Sequence, residues 1–268
     1  MKRVEILAIG REILSGRVLD TNTHWLARRL TGLGGKVQRR VIVDDEPEEI
    51  ARAVSSSLER GAEVVVTTGG LGPTYDDLTL EGVSRAAGRP LRLNAQALKF
   101  VAERYQFLYE KKVVASVEMN SAREKMARIP EGAQILDNPV GTAPGVMVEL
   151  ENALIVCLPG VPEEIEEIFK QSLERRLKDH LGGGIFLEET TQVETNDESV
   201  LTEAMVQVLK TVPGVYLKSN PSHFVPNLQL KVRVTASGDE EEEVKKRIQR
   251  AIEELKARLR RPLEEGAG

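Results

Sequence analysis

The sequence predicts an α/β protein with a three-layer, doubly wound, mostly parallel sheet, followed by a second, smaller α+β domain. The first observation is that short apolar runs alternate with segments whose apolar residues recur at helical spacing. Such a β-α-β-α order is typical of a parallel sheet with right-handed crossovers and helices on both faces. The second is the linker pattern Gly182-Gly183-Gly184, after which a shorter β-α-β-β-α order begins. We therefore expect a first domain at residues 1–181 and a second at residues 185–261.

The elements of the first domain are predicted from local pattern and turn residues. Strands are expected at Val4–Ile9, Val37–Val43, Ala62–Val66, Gln134–Leu136, Val146–Leu150 and Ala153–Leu158. The last two should form a hairpin around Glu151-Asn152. Helices are expected from Asp20-Thr21-Asn22 to Gly34-Gly35, from Pro47 through Leu58, and at Asp77–Ala87, Leu93–Lys112, Ser116–Ile129 and Glu163–His180.

The second domain shows the pattern of a small α+β layer. Strands are expected at Ile185–Glu194, Val215–Lys218 and Leu228–Val234, and helices at Glu198–Lys210 and Glu240–Leu259. A KH-type RNA-binding role is disfavoured, because no G-x-x-G stands between the helices and the last helix is dominated by solvated acids and bases. The tail from Pro262 to Gly268 is expected to be frayed.

Bulk composition limits the classes of function. The 268 residues are 29% charged and 41% hydrophobic, and the net charge of -5 argues against a general nucleic-acid or anionic-membrane binder, so we expect a small-molecule partner. Cys157, the one cysteine, lies in an apolar run and is expected to be a buried inert thiol, which fits a cytoplasmic protein. No apolar stretch approaches the ~18 residues of a membrane span, and we expect neither a signal peptide nor an anchor.

The histidines do not support a zinc site or general-base catalysis. His24, His180 and His223 are far apart, and none has a His or Cys partner at metal-ligand spacing. His24 lies near Asn22, where a capping or surface role is expected. Carboxylates acting with a metal are therefore the better candidates for chemistry.

The stretch from Thr67 to Asp77 is the main candidate for a site, because it joins an apolar strand to a helix through three glycines in four residues. Open backbone N–H groups and a helix start favour a bound phosphate. Asp76 and Asp77 would repel that phosphate unless a divalent cation came between them. The alternative is a tight turn with aspartates that cap the helix. The stretch lacks the lysine of a Walker P-loop and the spacing of a dinucleotide-binding loop.

Loops after three successive strands begin at Gly10, Asp44 and Gly69. Because the carboxyl ends of parallel strands meet at one edge of the sheet, side chains in these loops can converge although they are far apart in sequence. The carboxylates that this would bring together are Glu12, Asp45, Asp76 and Asp77. Gly/Pro-rich loops at Asp137–Gly145 and Leu158–Glu164 would extend the same edge.

Five stretches of the chain resemble the CinA family, which belongs to the molybdopterin-binding domain superfamily with MoaB- and MogA-like proteins. They are Gly10–Gly16, Asp20–Asn22, Thr67–Asp77, Asn138–Gly145 and Leu158–Pro162. The resemblance implies a molybdopterin-binding-domain-like fold, a homo-oligomer with a dimer favoured, and a Thr-Thr-Gly-Gly loop that holds a phosphate. The segment from Ile185 is similar to the second domain of CinA proteins. Nothing up to Gly268 resembles the nicotinamide-nucleotide deamidase domain of full-length CinA proteins, so we expect no deamidase activity.

The same resemblance implies a metal-dependent pyrophosphohydrolase that acts on ADP-ribose or a related nucleotide diphosphate. The alternatives are a molybdopterin-binding or adenylyltransferase role in molybdenum cofactor biosynthesis, and a non-catalytic nucleotide or pterin binder. The implied catalytic residues are Asp77, Asp45 and Asp76, of which Asp77 and Asp76 hold a divalent cation, Mg²⁺, Mn²⁺ or Co²⁺. Residues expected to hold substrate or phosphate are Gly10, Arg11, Glu12, Thr68, Gly69, Gly70, Gly72, Thr74, Asn138, Gly141, Thr142, Gly145, Pro159 and Gly160.

One position departs from the family pattern. Arg11 stands before Glu12, where the family usually has Asp or Asn. Its guanidinium could pair with a phosphate of the ligand. Equally, the exchange could remove a metal ligand and leave a binder without turnover.

Overall fold

The computed structural model describes residues 1–193, 195, 197–220 and 230–260. The strands are β1 (Arg3–Ile9), β2 (Lys36–Val43), β3 (Val64–Thr68), β4 (Leu91–Leu93), β5 (Arg128–Pro130), β6 (Gln134–Leu136), β7 (Gly145–Glu149), β8 (Leu154–Leu158), β9 (Ile185–Val193), β10 (Val215–Asn220) and β11 (Leu230–Gly238). The helices are α1 (Arg11–Leu14), α2 (Asn22–Gly32), α3 (Pro47–Glu59), α4 (Thr79–Ala87), α5 (Ala95–Glu110), α6 (Ser121–Lys125), α7 (Pro162–Ile168), α8 (Glu174–Leu181), α9 (Glu198–Thr211) and α10 (Glu241–Arg260), with a π-helical turn at Phe169–Leu173. None of these described helices is long and apolar enough to span a membrane.

The first compact unit comprises Met1–Thr31 and Gly35–Gly182 and contains a mixed sheet. Its described strands run in the order β2-β1-β3-β8-β7-β6. β1 pairs in parallel with β2 and β3, and β3 pairs in parallel with β8. β7 pairs antiparallel with β8, and these two strands form the predicted hairpin. β7 also pairs antiparallel with β6. The predicted α/β fold is thus confirmed, with a parallel centre and an antiparallel extension.

The central strands of this sheet are covered on both faces. Every residue of β3 and β8 is buried. Leu7, Val65 and Ile155 pack in one cluster with buried residues of α3, α4 and α5. Leu26 of α2 and Phe169 are buried outside that cluster, as expected for helices on the opposite face. Strands buried on both faces are continuously apolar, which is why they could be recognised from the sequence.

The helix predicted from Ser116 to Ile129 is wrong. In this segment α6 covers only Ser121–Lys125, and it begins after Asn120, whose side chain accepts from the Arg123 N–H at 3.0 Å. Beyond α6 the chain forms β5, which pairs antiparallel with β4 and buries Ile129. The charged residues favoured a helix by propensity, but pairing with a distant strand decided the conformation.

The second unit begins at Gly183, takes in Gly32–Gly34 as well, and has the predicted order β9-α9-β10-β11-α10. Its described strands form an antiparallel sheet in the order β10-β11-β9. Buried residues such as Val234 and Ile252 give it a core of its own. Several predicted features lie outside the described residues: Glu194 as a strand end, the strand start at Leu228, His223, residue 261 as the domain end, and the tail from Pro262.

Cys157 lies in β8, and its side chain is fully buried. Burial raises the pKa of its thiol to about 12, so the thiol stays protonated near neutral pH. Since the thiolate is the reactive form, a cysteine in this environment is inert. The apolar run around it predicted this environment.

Candidate functional site

A cavity of about 500 Å³ lies beyond the carboxyl ends of β1, β2, β3 and β8. The loops that follow these strands form its wall, together with the start of α2 and the loop between β6 and β7. This is the edge at which parallel α/β sheets bind ligands. The wall combines the glycine-rich loop with carboxylates from several loops.

The loop after β3 turns sharply through two glycines in the left-handed backbone region. Gly69 has a φ of 104° and Gly70 a φ of 66°, values that other residues rarely adopt. A Cβ at Gly69 would overlap the carbonyl oxygen of Ile9 in β1, and one at Gly70 would overlap the hydroxyl of Thr79. The two glycines are therefore required because the loop closely approaches β1 on one side and α4 on the other.

The hydrogen bonds of this loop leave three consecutive amides free. The Gly69 N–H donates to the last carbonyl of β8 at 3.0 Å, and the Thr79 hydroxyl donates to the Gly69 carbonyl at 2.7 Å. Within the described chain, the N–H groups of Gly70, Leu71 and Gly72 donate to no acceptor. Gly69 was expected to offer its amide to a ligand, but it shapes the turn instead. The amides of residues 70–72 are those available to an anion.

A buried asparagine joins the loops after β3 and β8. Asn22, at the start of α2, donates from Nδ2 to the Gly160 carbonyl at 2.7 Å and to Thr68 Oγ1 at 3.3 Å. The Thr68 hydroxyl donates in turn to the Pro159 carbonyl at 2.9 Å. Because Asn22 and Thr68 are almost fully buried, losing either partner would leave an unsatisfied polar group. These bonds hold two walls of the cavity together.

Asp76 and Asp77 meet at the hydroxyl of Thr74. Asp77 Oδ2 accepts from the Thr74 N–H at 2.8 Å and from Thr74 Oγ1 at 2.7 Å, and Asp76 Oδ1 also bonds to that hydroxyl. The bond from Thr74 is the main reason that the pKa of Asp76 lies below its ordinary value. α4 begins at Thr79 after Leu78, without a side-chain cap. The alternative in which the two aspartates merely cap this helix is therefore wrong.

Lys125 of α6 supports the same turn from outside the cavity. Its ammonium donates to the Thr74 carbonyl. Burial lowers the pKa of Lys125, while the negative charges of Asp77 and Asp76 oppose that effect. Sequence reasoning missed Lys125 because it lies in the segment for which a longer helix was predicted.

Arg11 has a different place from the one expected. Its guanidinium forms a two-bond ion pair with Asp44, with Nε–Oδ1 at 2.9 Å and Nη2–Oδ2 at 3.1 Å. Its backbone N–H donates to Asp45 Oδ2 at 2.8 Å. Asp45 lines the cavity, whereas the described wall does not include Arg11. Arg11 therefore fixes the loop after β2 and orients Asp45. Its guanidinium bonds to Asp44, and its positive charge also acts on Asp76 of the cavity wall.

Asp45 is held in an electrostatically unfavourable place. Burial is the main reason that the pKa of Asp45 lies above the ordinary aspartate value. The negative charges of Glu12, Asp44 and Asp76 raise that pKa further, against the hydrogen bond from the Arg11 amide. A carboxylate with a raised pKa is a stronger base than an exposed one, and such groups cluster at functional sites.

Glu164, in the first turn of α7, is a second carboxylate with an unusual environment. Its Oε2 accepts from Nδ2 of Asn138 at 2.7 Å, and Asn138 is fully buried. The carboxyl group packs on Gly141, where any Cβ would overlap it. Burial raises the pKa of Glu164, against the hydrogen bond from Asn138 and the positive charge of Arg104.

The structure brings most of the predicted site residues together. Those that line the cavity are Glu12, Asp45, Thr68, Gly69, Gly70, Gly72, Thr74, Asp76, Asp77, Thr142, Pro159 and Gly160. Of the described residues predicted for the site, five lie off its wall: Gly10, Arg11, Asn138, Gly141 and Gly145. Lining residues that were not predicted for the site include Asp20, Thr21, Asn22 and Glu164. These residues lie at or near the starts of helices that follow β1 and β8. That placement is the sequence signal from which they could have been predicted to line the cavity.

A family model described as a probable molybdopterin binding domain matches residues 5–179 of the chain. The match spans well over half of the sequence and contains every residue of the cavity wall. The chain belongs to this family. The molybdopterin-binding domain thus comprises nearly all of the first unit.

Two relatives match nearly the whole chain, and one solved structure matches 66% of it. A protein of Aeropyrum pernix is 41% identical over 267 residues, which cover 99% of this chain and 95% of that protein. A protein of Pyrobaculum arsenaticum is 40% identical over 258 residues, which cover 94% of each chain. The crystal structure of the protein CinA with unknown function from Thermoplasma acidophilum is 36% identical and matches with a TM-score of 0.59, over 66% of this chain and 99% of that one. The predicted resemblance to the CinA family is confirmed.

Replacing Gly69 tests the turn on which the wall of the molybdopterin-binding domain depends. Gly69→Ala should lower the free energy of unfolding by about 3 kcal/mol or more. The new Cβ would overlap the Ile9 carbonyl oxygen, and alanine would also be strained in the left-handed backbone conformation of this position. Gly160→Ala is the matched control. Its Cβ would meet Gly69 Cα at an ordinary 3.5 Å, so its effect should stay within about 0.5 kcal/mol. Urea unfolding measures both, and equal effects would contradict the described turn.

Glu164→Gln tests whether burial raises the pKa of the Glu164 carboxyl group, through the pH dependence of protein stability. A raised pKa means that the folded state keeps a proton that the unfolded state has lost, so wild-type stability falls as the pH rises through the folded pKa of Glu164. The glutamine cannot ionise and still offers Asn138 an acceptor. The variant should therefore gain stability over the wild type as the pH rises above about 4.3, the ordinary glutamate pKa, by at most about 1.4 kcal/mol per unit of pKa shift.

Thermal unfolding at several pH values measures this gain. The exposed neighbour provides the control, because Glu163→Gln removes a carboxylate that does not line the cavity. A stability difference between Glu164→Gln and the wild type that stays constant with pH would contradict the assigned environment of Glu164.

Proposed function

We propose that the cavity binds a phosphorylated ligand together with a divalent cation, and that it hydrolyses the diphosphate of ADP-ribose or a related nucleotide diphosphate. The single observation that supports this most is the composition of one wall. There the free amides of residues 70–72 stand beside the carboxylates of Asp76 and Asp77. Amides without acceptors suit a phosphate, and a pair of carboxylates suits a cation.

The charge of the cavity makes a cation necessary for a phosphate ligand. Its described lining residues contain no lysine or arginine. They contain six carboxylates, which are Glu12, Asp20, Asp45, Asp76, Asp77 and Glu164. A diphosphate placed among these charges would be repelled, and the partial charges of three amides offset only part of that repulsion. A divalent cation between carboxylates and phosphate removes it.

The residues fit a cation whose coordination the substrate completes. No group of three or more His, Cys, Asp or Glu in the described chain is arranged to hold a metal ion by itself. Mg²⁺ is nevertheless commonly bound by one or two carboxylates together with substrate phosphates and waters. Asp76 and Asp77 supply such a pair. Both contact one Thr74 hydroxyl, whose single hydrogen can serve only one of them at a time.

The lining residues divide the proposed reaction between them. Asp77 and Asp76 hold the cation, which when bound neutralises phosphate charge and assists deprotonation of water. The amides of residues 70–72 hold one phosphate group, and Glu12 orients the attacking water or the ribose. The water oxygen bonds to phosphorus, the bridging P–O bond breaks, and Asp45 takes up the proton, for which its raised pKa suits it. From ADP-ribose the products are AMP and ribose 5-phosphate.

The family match favours a second candidate function, which is binding of molybdopterin or transfer of an adenylyl group to it. Molybdopterin is a pterin that carries a phosphate, so it would use the same amides and the same cation. The two candidates differ in whether the diphosphate of ADP-ribose is cleaved. A non-catalytic binder would show neither reaction.

The prediction is that ADP-ribose is hydrolysed with Mg²⁺, Mn²⁺ or Co²⁺, and that Asp77→Asn lowers kcat/KM by about 100-fold because it removes the main carboxylate that holds the cation. Chelation of the metal should abolish turnover in the wild-type protein. Product formation, measured by chromatography of AMP and ribose 5-phosphate, gives both results. FAD is assayed in parallel as a second nucleotide diphosphate.

Asp179→Asn is the control for this experiment, since Asp179 is an exposed residue of α8 and does not line the cavity. It should leave turnover unchanged. If ADP-ribose and FAD stay intact with every metal while a ligand still raises the unfolding temperature, hydrolysis is wrong and the binding role stands. Consumption of ATP in the presence of molybdopterin would instead support adenylyl transfer.

A further inference from the structure

The sheet of the second unit packs its two described helices on one face. In β11, Val232 and Val234 are buried in a cluster that also contains residues of α9 and α10, whereas Lys231 and Arg233 are exposed. Successive side chains of a strand point to opposite faces of the sheet, so the exposed residues lie on the face away from these helices. We call this the open face, and its exposed residues in β10 and β11 are Tyr216, Lys218, Lys231 and Arg233.

The register of β10 and β11 places like charges directly opposite each other on the open face. Lys218 is the partner of Arg233, and Tyr216, two residues earlier, is the partner of Thr235. Opposite residues of an antiparallel pair share a face, with Cβ atoms about 5 Å apart, and like charges in such a pair are destabilising. Lys231 adds a third cation two residues from Arg233 on the same strand, and therefore on the same face.

Among the described residues, one of these three cations has an acidic partner. Glu188 of β9 forms an ion pair with Arg233, with 3.5 Å between Oε1 and Nε. The ammonium groups of Lys218 and Lys231 bond to no other described residue. The open face is thus positively charged, although the whole chain has a net charge of -5. Neighbouring cations that the protein leaves without countercharge favour an anionic partner.

Tyr216 gives the open face a flat ring beside the cations. Its side chain is 59% exposed. Proteins that bind single-stranded nucleic acids combine such aromatic rings, on which bases stack, with lysines and arginines that bond to the phosphates. An anionic membrane surface would use the cations alone. The exposed tyrosine therefore favours a nucleic acid as the partner.

We infer that the open face of the second unit binds single-stranded RNA, with phosphates on Lys218, Lys231 and Arg233 and a base on Tyr216. A duplex keeps its bases stacked on each other, so a single strand is needed to offer a base to the tyrosine. RNA is favoured over DNA because RNA commonly presents single-stranded loops and ends. In addition, the exposed Thr190 of β9, which is the partner of Arg233, offers a hydroxyl group to the 2′-OH of a ribose.

This inference is independent of the cavity in the first unit. It also differs from KH-type binding, which depends on a G-x-x-G segment, because the open face lies on the side of the sheet away from α9 and α10. It goes against the expectation drawn from the net charge of the chain. A net charge averages over all residues and does not reveal three cations that strand pairing brings together.

Fluorescence anisotropy of a labelled RNA measures binding to the full chain. The probe is a fluorescein-labelled oligouridine of about twelve nucleotides, which covers one site of the size that single-strand-binding domains use. It is titrated at NaCl concentrations from about 50 to about 200 mM. Three phosphate contacts at about -0.7 each predict a slope of about -2 for the logarithm of the association constant against the logarithm of the salt concentration.

Variants of the two lysines test the phosphate contacts. Lys218→Gln and Lys231→Gln should each weaken binding and make the salt slope less steep by about 0.7. Lys218→Gln also relieves the repulsion from Arg233, so it should unfold at the wild-type temperature or above. Lys246→Gln is the matched control, because it removes an exposed lysine of the same unit from α10. It should leave both the affinity and the slope unchanged.

Variants of Tyr216 test the stacked base. Tyr216→Ala should weaken binding about fivefold or more, because the contact with one base is lost. Tyr216→Phe keeps the ring and should bind the RNA as the wild-type protein does.

Four results would overturn the inference. They are an absence of RNA binding at about 50 mM NaCl, equal losses in Lys218→Gln and Lys246→Gln, an unchanged affinity in Tyr216→Ala, and equally tight binding of an oligodeoxyuridine of the same length. Sedimentation of the protein with phosphatidylserine vesicles, lost in Lys218→Gln and found without RNA binding, would assign the open face to a membrane surface instead. Each of these results leaves the proposed function of the cavity in place.

Discussion

The close contact between the glycine loop and the end of β1 is the constraint on which the rest of the site depends. Because Gly69 has no side chain, the loop can pass against the Ile9 carbonyl and bond to the end of β8. That path leaves the amides of residues 70–72 free and places Asp76 and Asp77 at the Thr74 hydroxyl. Any larger residue at Gly69 would displace the free amides and the carboxylates together.

The buried and half-buried carboxylates differ in whether a cation bonds to them. Burial alone would raise the pKa of Glu5, but Arg60 bonds to both of its oxygens at 3.0 and 2.6 Å and, with Ser57, holds that pKa below its ordinary value. No described cation bonds to Asp45 or Glu164, although the charge of Arg104 acts on Glu164, and the pKa values of both carboxyl groups are raised. A buried carboxylate that no cation bonds lowers stability, and such groups are common at preorganised sites.

Much of the fold and of the candidate site could be predicted from the sequence, for a physical reason. Strands buried on both faces have continuous apolar runs, and glycines in left-handed turns have few substitutes, so the sheet and the glycine loop were recognisable. The alternation of strands and loops then placed Glu12, Asp45, Asp76 and Asp77 on one wall. What failed depends on pairing between distant residues. β5 forms because it meets β4, and the guanidinium of Arg11 bonds to Asp44 because that side chain lies across the loop. Glu164 could not be recognised from the sequence, because the buried Asn138 that bonds to it lies 26 residues earlier in the chain.

A crystal structure with ADP-ribose and Mn²⁺, with anomalous scattering recorded from the metal, would test the central claim most directly. We expect a manganese peak beside the Asp77 carboxylate and a phosphate group on the amides of residues 70–72. Ligand density away from the glycine loop would contradict it, as would an absence of anomalous signal at Asp77 under saturating Mn²⁺.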